Sequence, residues 1–77
     1  MPPLARKPPL DPHLKAIGQR IRALRETRKI SQDAFADLAG IDRSYVSGIE
    51  RGVRNFSIRH LFTIAKTLKV KPQDLLG

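Results

Sequence analysis

The chain has 77 residues, with 15 Lys and Arg against 7 Asp and Glu, and it contains no Cys. This length allows one small domain, and the lack of Cys excludes a disulfide framework, a Cys-based zinc site and a thiol nucleophile. No apolar run approaches the roughly 18 residues of a membrane span, and no hydrophobic segment follows the N-terminus as in a signal peptide, so we expect a cytoplasmic protein.

Residues 1–12 contain five of the six prolines and the cations Arg6 and Lys7. Proline lacks a backbone donor and disfavours helix, which predicts an extended, flexible basic arm. The arm is either a solubilising tail or a segment that follows phosphates or a minor groove. We place the folded domain at residues 13–77.

The first helix is predicted to begin near residues 11–13, with Pro12 suited to its first turn. One apolar stripe runs along it through Leu14, Ile17, Ile21 and Leu24. His13 and His60 have no partner at ligand spacing, so no metal site is expected.

The central stretch, residues 31–51, has the pattern of two short helices joined by a tight turn. Ser31 and Asp42 are suited to N-cap the two helices, and Gly40 to end the first in the left-handed conformation. Apolar residues recur at helical spacing at Phe35, Leu38 and Ala39, then at Val46 and Ile49. Two helices joined this tightly indicate a helix-turn-helix.

The C-terminal third predicts a loop, a fourth helix and a last helical turn. Phe56 is expected beneath the loop, Ser57 at the N-cap of helix 4 and Pro72 at the start of the last turn. Helix 4 has a wide apolar face made of Ile58, Leu61, Phe62, Ile64, Ala65 and Leu68. No strand pattern occurs, so the predicted fold is all-α, with five short helices around one core.

The chain resembles the Cro/cI-type (XRE-like) helix-turn-helix repressors, among them small phage repressors and restriction–modification controller proteins. The matching residues are Gln32, Ala36, Gly40, Ile41, Val46, Ser47, Ile49, Glu50 and Gly52, and the agreement extends over about residues 14–76. The resemblance implies a lambda-repressor-like domain that binds a palindromic operator in double-stranded DNA as a homodimer.

In such a protein helix 3 enters the major groove, so its outward face is expected to read bases. That face is predicted to carry Arg43, Ser44, Ser47 and Gly48. Arg43 can bond O6 and N7 of guanine, or instead contact a phosphate or solvent. Ser44 can meet a base edge or a phosphate, and Ser47 a phosphate or its own helix. Gly48 either admits a closer approach to the bases or leaves specificity to fewer groups and to DNA shape.

The residues around helix 3 are predicted to contact phosphates: Gln32, Tyr45, Arg51, Arg54 and Asn55. Gln32 either clasps a phosphate at the N-terminus of helix 2 or has only a capping role. The ring of Tyr45 is expected to pack, with its hydroxyl free to face a phosphate. Arg54 or Asn55 can also approach the minor groove.

Two further sets of residues are expected to be structural. The resemblance implies a partly buried ion pair between Arg25 and Glu50, the alternative being two separately solvated charges. Val70, Leu75 and Leu76 are leftover apolar groups that either form the dimer interface or cap the protein's own core.

The charge distribution favours nucleic acid as the partner. Residues 1–30 hold eight Lys and Arg against two acids, and residues 51–77 hold six against one, whereas residues 31–50 hold one Arg against four acids. Basic segments on both sides of the motif suit a phosphate-facing rim. No catalytic, metal or cofactor pattern occurs, so we expect a regulator, most simply a repressor located at the nucleoid. The alternatives are an antitoxin-like protein that binds a toxin and autoregulates its operon, and a non-specific nucleic-acid coat.

Overall fold

The computed structural model describes residues 11–77, which form five α-helices. They are α1 (Pro12–Thr27), α2 (Gln32–Ala39), α3 (Arg43–Glu50), α4 (Ile58–Leu68) and α5 (Pro72–Leu76). Residues 11–77 contain no strand, and the predicted all-α, five-helix class is confirmed. The arm predicted for residues 1–12 lies outside the described part except for Asp11 and Pro12, which cap and open α1.

Four of the helices begin at a side chain that accepts a hydrogen bond from a backbone N–H of the first turn. The accepting residues are Asp11, Ser31, Asp42 and Ser57. Each such cap contributes about 1 kcal/mol to helix stability. At the other end of α2, Gly40 has a φ of 67°, a left-handed conformation that costs a residue without Cβ little. The caps predicted at Ser31, Asp42 and Ser57 and the turn at Gly40 are confirmed.

The core is formed by residues from all five helices: Ile21, Phe35, Ala36, Val46, Ile49, Leu61, Ile64, Ala65, Leu68 and Leu75. α3 packs against α1 and α2. The approach of α1 to α3 depends on Gly18, because a Cβ there would lie 2.2 Å from the carbonyl oxygen of Ile49. One face of α3 is therefore fixed on the scaffold while the opposite face remains available.

Three residues predicted on buried faces are exposed, and those predictions are wrong. Leu38 is 67% exposed, Ile58 68% and Phe62 55%. Leu38 and Phe62 each lie about 100° around their helix from the middle of its buried stripe, at 100° per residue. Ile58 is the first residue of α4 and lies one turn before Leu61, where the buried stripe begins.

Candidate nucleic-acid interface

The outward face of α3 begins with two exposed polar residues, Arg43 and Ser44, followed by half-buried Ser47. Asp42 fixes this first turn, since its carboxylate accepts hydrogen bonds from the Ser44 hydroxyl and, at 3.0 Å, from the Ser44 backbone N–H. The hydrogen bond from the Ser44 hydroxyl, and to a smaller extent that from its backbone N–H, lower the pKa of Asp42 below its usual range. The Ser44 hydroxyl proton is thus engaged within the protein, while the hydroxyl oxygen can still accept a hydrogen bond.

Arg43 forms an ion pair with Asp33 in the first turn of α2. Arg43 Nε lies 2.7 Å from Asp33 Oδ1, and both side chains are largely exposed. This pair has no signal in the sequence, because the two residues are brought together only by the turn at Gly40. Arg43 therefore stands at the edge where α2 meets α3.

Gly48 lies about 200° around α3 from the core residue Val46, on the side away from the core, but it is buried, so the prediction that it forms part of the open surface is wrong. The physical reason is Arg54, whose side chain lies over this glycine: a Cβ at residue 48 would be 2.4 Å from Arg54 Cγ. The Gly48 carbonyl also accepts hydrogen bonds from the backbone N–H groups of Val53 and Arg54, at 3.0 and 3.2 Å. Arg54 thus covers the surface from which a side chain at position 48 would project.

Tyr45 anchors the loop that follows α3. Its hydroxyl donates to the Asn55 carbonyl at 2.9 Å, and its ring packs edge-on against His60 with centroids 5.1 Å apart. The guanidinium carbon of Arg54 lies 5.4 Å from the centre of the Tyr45 ring. The hydroxyl proton of Tyr45 is therefore used inside the protein, and its predicted phosphate contact stays a prediction.

The predicted phosphate contacts of the loop, Arg51, Arg54 and Asn55, are all exposed beside α3. The Asn55 side-chain carbonyl accepts from the Phe56 backbone N–H at 2.8 Å, which leaves its amide N–H₂ group free of hydrogen bonds to residues 11–77. Two guanidinium groups and one amide donor thus lie at the C-terminal end of α3, where they can meet phosphate oxygens.

Arg25 and Glu50 form a buried ion pair that joins α1 to the end of α3. Arg25 donates to both carboxylate oxygens, from Nε at 2.7 Å and from Nη2 at 3.0 Å, and its Nη1 donates to the Ile30 carbonyl at 2.8 Å. The bond to Glu50 raises the pKa of Arg25, against the opposing effect of burial. The structure thus contains the pair that the resemblance implied, and adds a backbone partner.

Gln32 belongs to the same network. Its side-chain amide donates to Glu50 Oε1 at 2.9 Å, which directs this end of the side chain towards the protein. This bond to Glu50 differs from both roles predicted for Gln32, a phosphate contact and a capping role. No sequence signal could have shown it, because residues 32 and 50 meet only through the packing of α2 and α3.

The three residues predicted for a dimer interface do not share one surface environment. Leu75 is fully buried in the core, Val70 is half-buried and packs against it, and Leu76 is 60% exposed. The prediction is wrong for Leu75, since α5 packs on α1 and α4 and turns this side chain inward. Only Leu76 offers a large exposed group there.

Residues 11–77 contain no group of three or more His, Cys, Asp and Glu that could hold a metal ion. Among the helices of the same range, none is long and apolar enough to cross a membrane.

The arrangement matches known proteins. A family model described as Helix-turn-helix matches residues 21–75. The chain belongs to this family, the HTH_3 or XRE type. The family consists of regulatory DNA-binding proteins, and the resemblance seen in the sequence is confirmed.

Several relatives share most of the domain. Control protein C.BamHI of Bacillus amyloliquefaciens is 42% identical over 61 residues, which cover 78% of this chain and 75% of that protein. The immunity repressor of Bacillus phage phi105 is 38% identical over 61 residues, covering 79% of this chain and 42% of the repressor.

Solved structures agree. The restriction–modification controller C.AhdI from Aeromonas hydrophila gives a TM-score of 0.79 at 45% identity, covering 80% of this chain and 94% of that one. SinR, solved in complex with DNA, gives 0.76 at 39% identity, covering 79% and 98%.

Proposed function

We propose that this chain binds double-stranded DNA sequence-specifically with α3 in the major groove, and regulates transcription by occupying an operator as a repressor. The observation that carries the proposal is the division of α3 into two faces. One face is buried in the core, while the other exposes Arg43 and is bordered by the basic loop after Glu50. The structure of SinR with DNA supports the same use of the fold.

In this proposal Arg43 is the main base-reading residue. Its guanidinium matches O6 and N7 of guanine, a contact worth roughly 1–3 kcal/mol of discrimination. Ser44 and Ser47 are shorter and contact a base edge or a phosphate. Arg51 and Arg54 contact flanking phosphates, which position the domain without reading sequence.

The operator sequence can be determined by selecting the DNA sequences that the full chain binds from a random pool. The wild type is expected to yield a palindromic consensus, and Arg43→Ala to lose the preference at one base pair per half-site. Arg54→Ala is the matched control, since it should weaken all sequences alike and lower the salt slope by about one. An unchanged consensus for Arg43→Ala would exclude the base-reading role of this residue.

A palindromic operator calls for a dimer, and α4 offers the apolar surface for it. Ile58 and Phe62 are one helical turn apart, and both are exposed. They lie near α3, because His60 of the same helix packs against Tyr45. A two-fold contact there would place both copies of α3 on one face, at half-sites about 34–36 Å apart.

Substituting one exposed apolar residue on each surface distinguishes an interface on α4 from one on the C-terminal helix α5. Phe62→Asp is expected to abolish paired binding to a palindromic site, whereas Leu76→Asp should behave as wild type. Sedimentation equilibrium with and without the DNA measures the pairing, and thermal melts verify that both variants fold. The opposite ranking of the two variants would move the interface to α5.

A further inference from the structure

The ion pair between Arg43 and Asp33 engages only one edge of the guanidinium. The closest atoms are Arg43 Nε and Asp33 Oδ1, at 2.7 Å. The contact is electrostatic, since no side-chain nitrogen of Arg43 forms a hydrogen bond with residues 11–77. A guanidinium has donors along two edges, and guanine O6 and N7 need two of them side by side. With Nε beside a carboxylate, the two terminal nitrogens are the pair left for a base.

We propose that Asp33 is a positioning residue that holds Arg43 ready to read guanine and disfavours its contacts with other sequences. The proposal rests on the base-reading role of Arg43 given above. In this scheme Asp33 contacts neither the guanine, whose major-groove atoms O6 and N7 are both acceptors, nor a phosphate, which repels a carboxylate.

The first part of the effect is preorganisation. A free Arg side chain loses several rotatable bonds when it binds, and this loss opposes recognition. The ion pair restrains the guanidinium before DNA arrives, so less freedom is lost on contact. Exposed pairs are weak, so the expected gain is modest, about two- to fivefold.

The second part is repulsion. Asp33 lies in the first turn of α2, the helix that in this motif crosses the DNA backbone. A carboxylate there weakens binding to every sequence, whereas the correct base pair alone benefits from the aligned Arg43. Specificity is a difference of affinities, so both effects raise the ratio of operator to random binding.

Asp37 provides a matched control on the same helix. Its exposed carboxylate forms no ion pair with any of residues 11–77. Asp37→Asn therefore makes the same change in charge as Asp33→Asn without touching Arg43.

The test compares full-chain variants on three DNAs at one salt concentration: the selected operator, the operator with the Arg43-read base pair changed, and random sequence. Asp33→Asn is expected to lower the preference for the correct base pair about two- to fivefold and to raise affinity for random DNA. Asp33→Glu should retain most of the preference. Asp37→Asn should leave the preference unchanged. In an Arg43→Ala background, where the preference is already lost, adding Asp33→Asn should cause no further change in it.

Three results would overturn the proposal. If Asp33→Asn and Asp37→Asn leave the preference equally intact, Asp33 contributes only general charge. If Asp33→Asn improves binding to the operator more than to random DNA, the carboxylate sequesters Arg43 instead of positioning it. If Arg43→Ala itself leaves the preference intact, the base-reading role fails first and this proposal with it.

The ion pair can also be followed without DNA. The Nε–H resonance of Arg43 in a ¹⁵N spectrum of the free protein should move on Asp33→Asn and stay in place on Asp37→Asn. If the position of the Arg43 resonance changes with neither substitution, the pair does not form in solution, which also overturns the proposal.

Discussion

At the scale of single residues, Gly48 and Arg54 share one site on the surface of α3. Position 48 lacks a side chain, and the aliphatic part of Arg54 lies in the space that is left, with its guanidinium near the Tyr45 ring. A glycine within a helix costs about 1 kcal/mol relative to alanine. Here the lack of a side chain at position 48 leaves the space that the Arg54 side chain occupies.

Gly48→Ala is therefore expected to have opposite effects in two backgrounds. In Arg54→Ala, where Cγ is absent and Cβ of residue 54 lies 3.3 Å from the new Cβ, the substitution should stabilise the protein by at most about 0.5–1 kcal/mol through helix propensity. In the wild-type background the gain should vanish or reverse, because the new Cβ displaces the Arg54 side chain. Urea unfolding of the four proteins measures the difference, and equal gains in both backgrounds would mean that Arg54 does not rest on Gly48.

At the scale of elements, the helix-turn-helix is fastened to α1 by a charged group as well as by the core. Glu50, at the end of α3, accepts from Arg25 of α1 and from Gln32 of α2. The pair is well buried, with side-chain exposures of 9% and 2%. A buried carboxylate that loses its partners is unfavourable, so the network orients α3 on the scaffold through a small number of bonds.

Removing one member of this pair should be severe. Glu50→Ala is expected to cost about 3–5 kcal/mol in the free energy of unfolding, since it leaves Arg25 charged and buried. Arg22→Ala is the control, because the Arg22–Glu26 pair is exposed and should contribute under about 1 kcal/mol. The double variant Arg25→Ala/Glu50→Ala, compared with each single variant by thermal or urea melts, gives the coupling. Small and additive losses would show two independent charges.

The C-cap of α4 is a site where a substitution can increase stability. Lys69 is the C-cap residue and has a φ of 59°, a left-handed conformation that costs a residue with Cβ roughly 1–2 kcal/mol. Lys69→Gly is expected to raise stability by up to about 1 kcal/mol. Lys66→Gly, one turn earlier in the same helix, should lower it by a similar amount, about 1 kcal/mol. Loss of melting temperature in both variants would contradict the cap argument.

At the scale of the whole molecule, charge decides how the protein meets DNA. The chain carries a net charge of +8, while four acidic residues lie within residues 31–50. Three of those four have structural partners: Asp42 accepts from Ser44, Glu50 from Arg25, and Asp33 pairs with Arg43. The acidic groups of the motif thus bind partners within the protein, and the surrounding Lys and Arg account for the positive net charge.

Affinity for the operator should accordingly fall steeply with salt. With about 6–10 phosphates neutralised per dimer, we expect a loss of about 10³–10⁵-fold between 50 and 200 mM salt. A fluorescence-anisotropy titration at several salt concentrations gives the slope directly. A nearly flat slope would rule out the phosphate-facing rim.

Much of this fold could be predicted from the sequence because its signals are local. A cap such as Ser31 and a turn glycine such as Gly40 act within a few residues, and apolar spacing within one helix identifies its core side. The errors arose where the answer depends on neighbours far along the chain. Periodicity alone could not tell that Leu38 lies beyond the edge of the core or that Leu75 turns into it.

The candidate interface was predictable in composition but not in geometry. Arg43 was identified from its place at the start of helix 3, and the structure finds it exposed there. Its partner Asp33, the bond from Gln32 to Glu50 and the cover of Arg54 over Gly48 all join separate elements. None of them has a spacing that sequence periodicity could reveal.

The two faces of α3 also bear on how such a protein could acquire a new target. Val46, Ile49 and Glu50 serve the fold, whereas Arg43 and Ser44 are exposed and take no part in the core. If Arg43 and Ser44 read bases as proposed, substitutions at positions 43 and 44 can change the recognised sequence at little cost in stability. A change at position 48, by contrast, would also move Arg54, so that part of the surface must be redesigned as a unit.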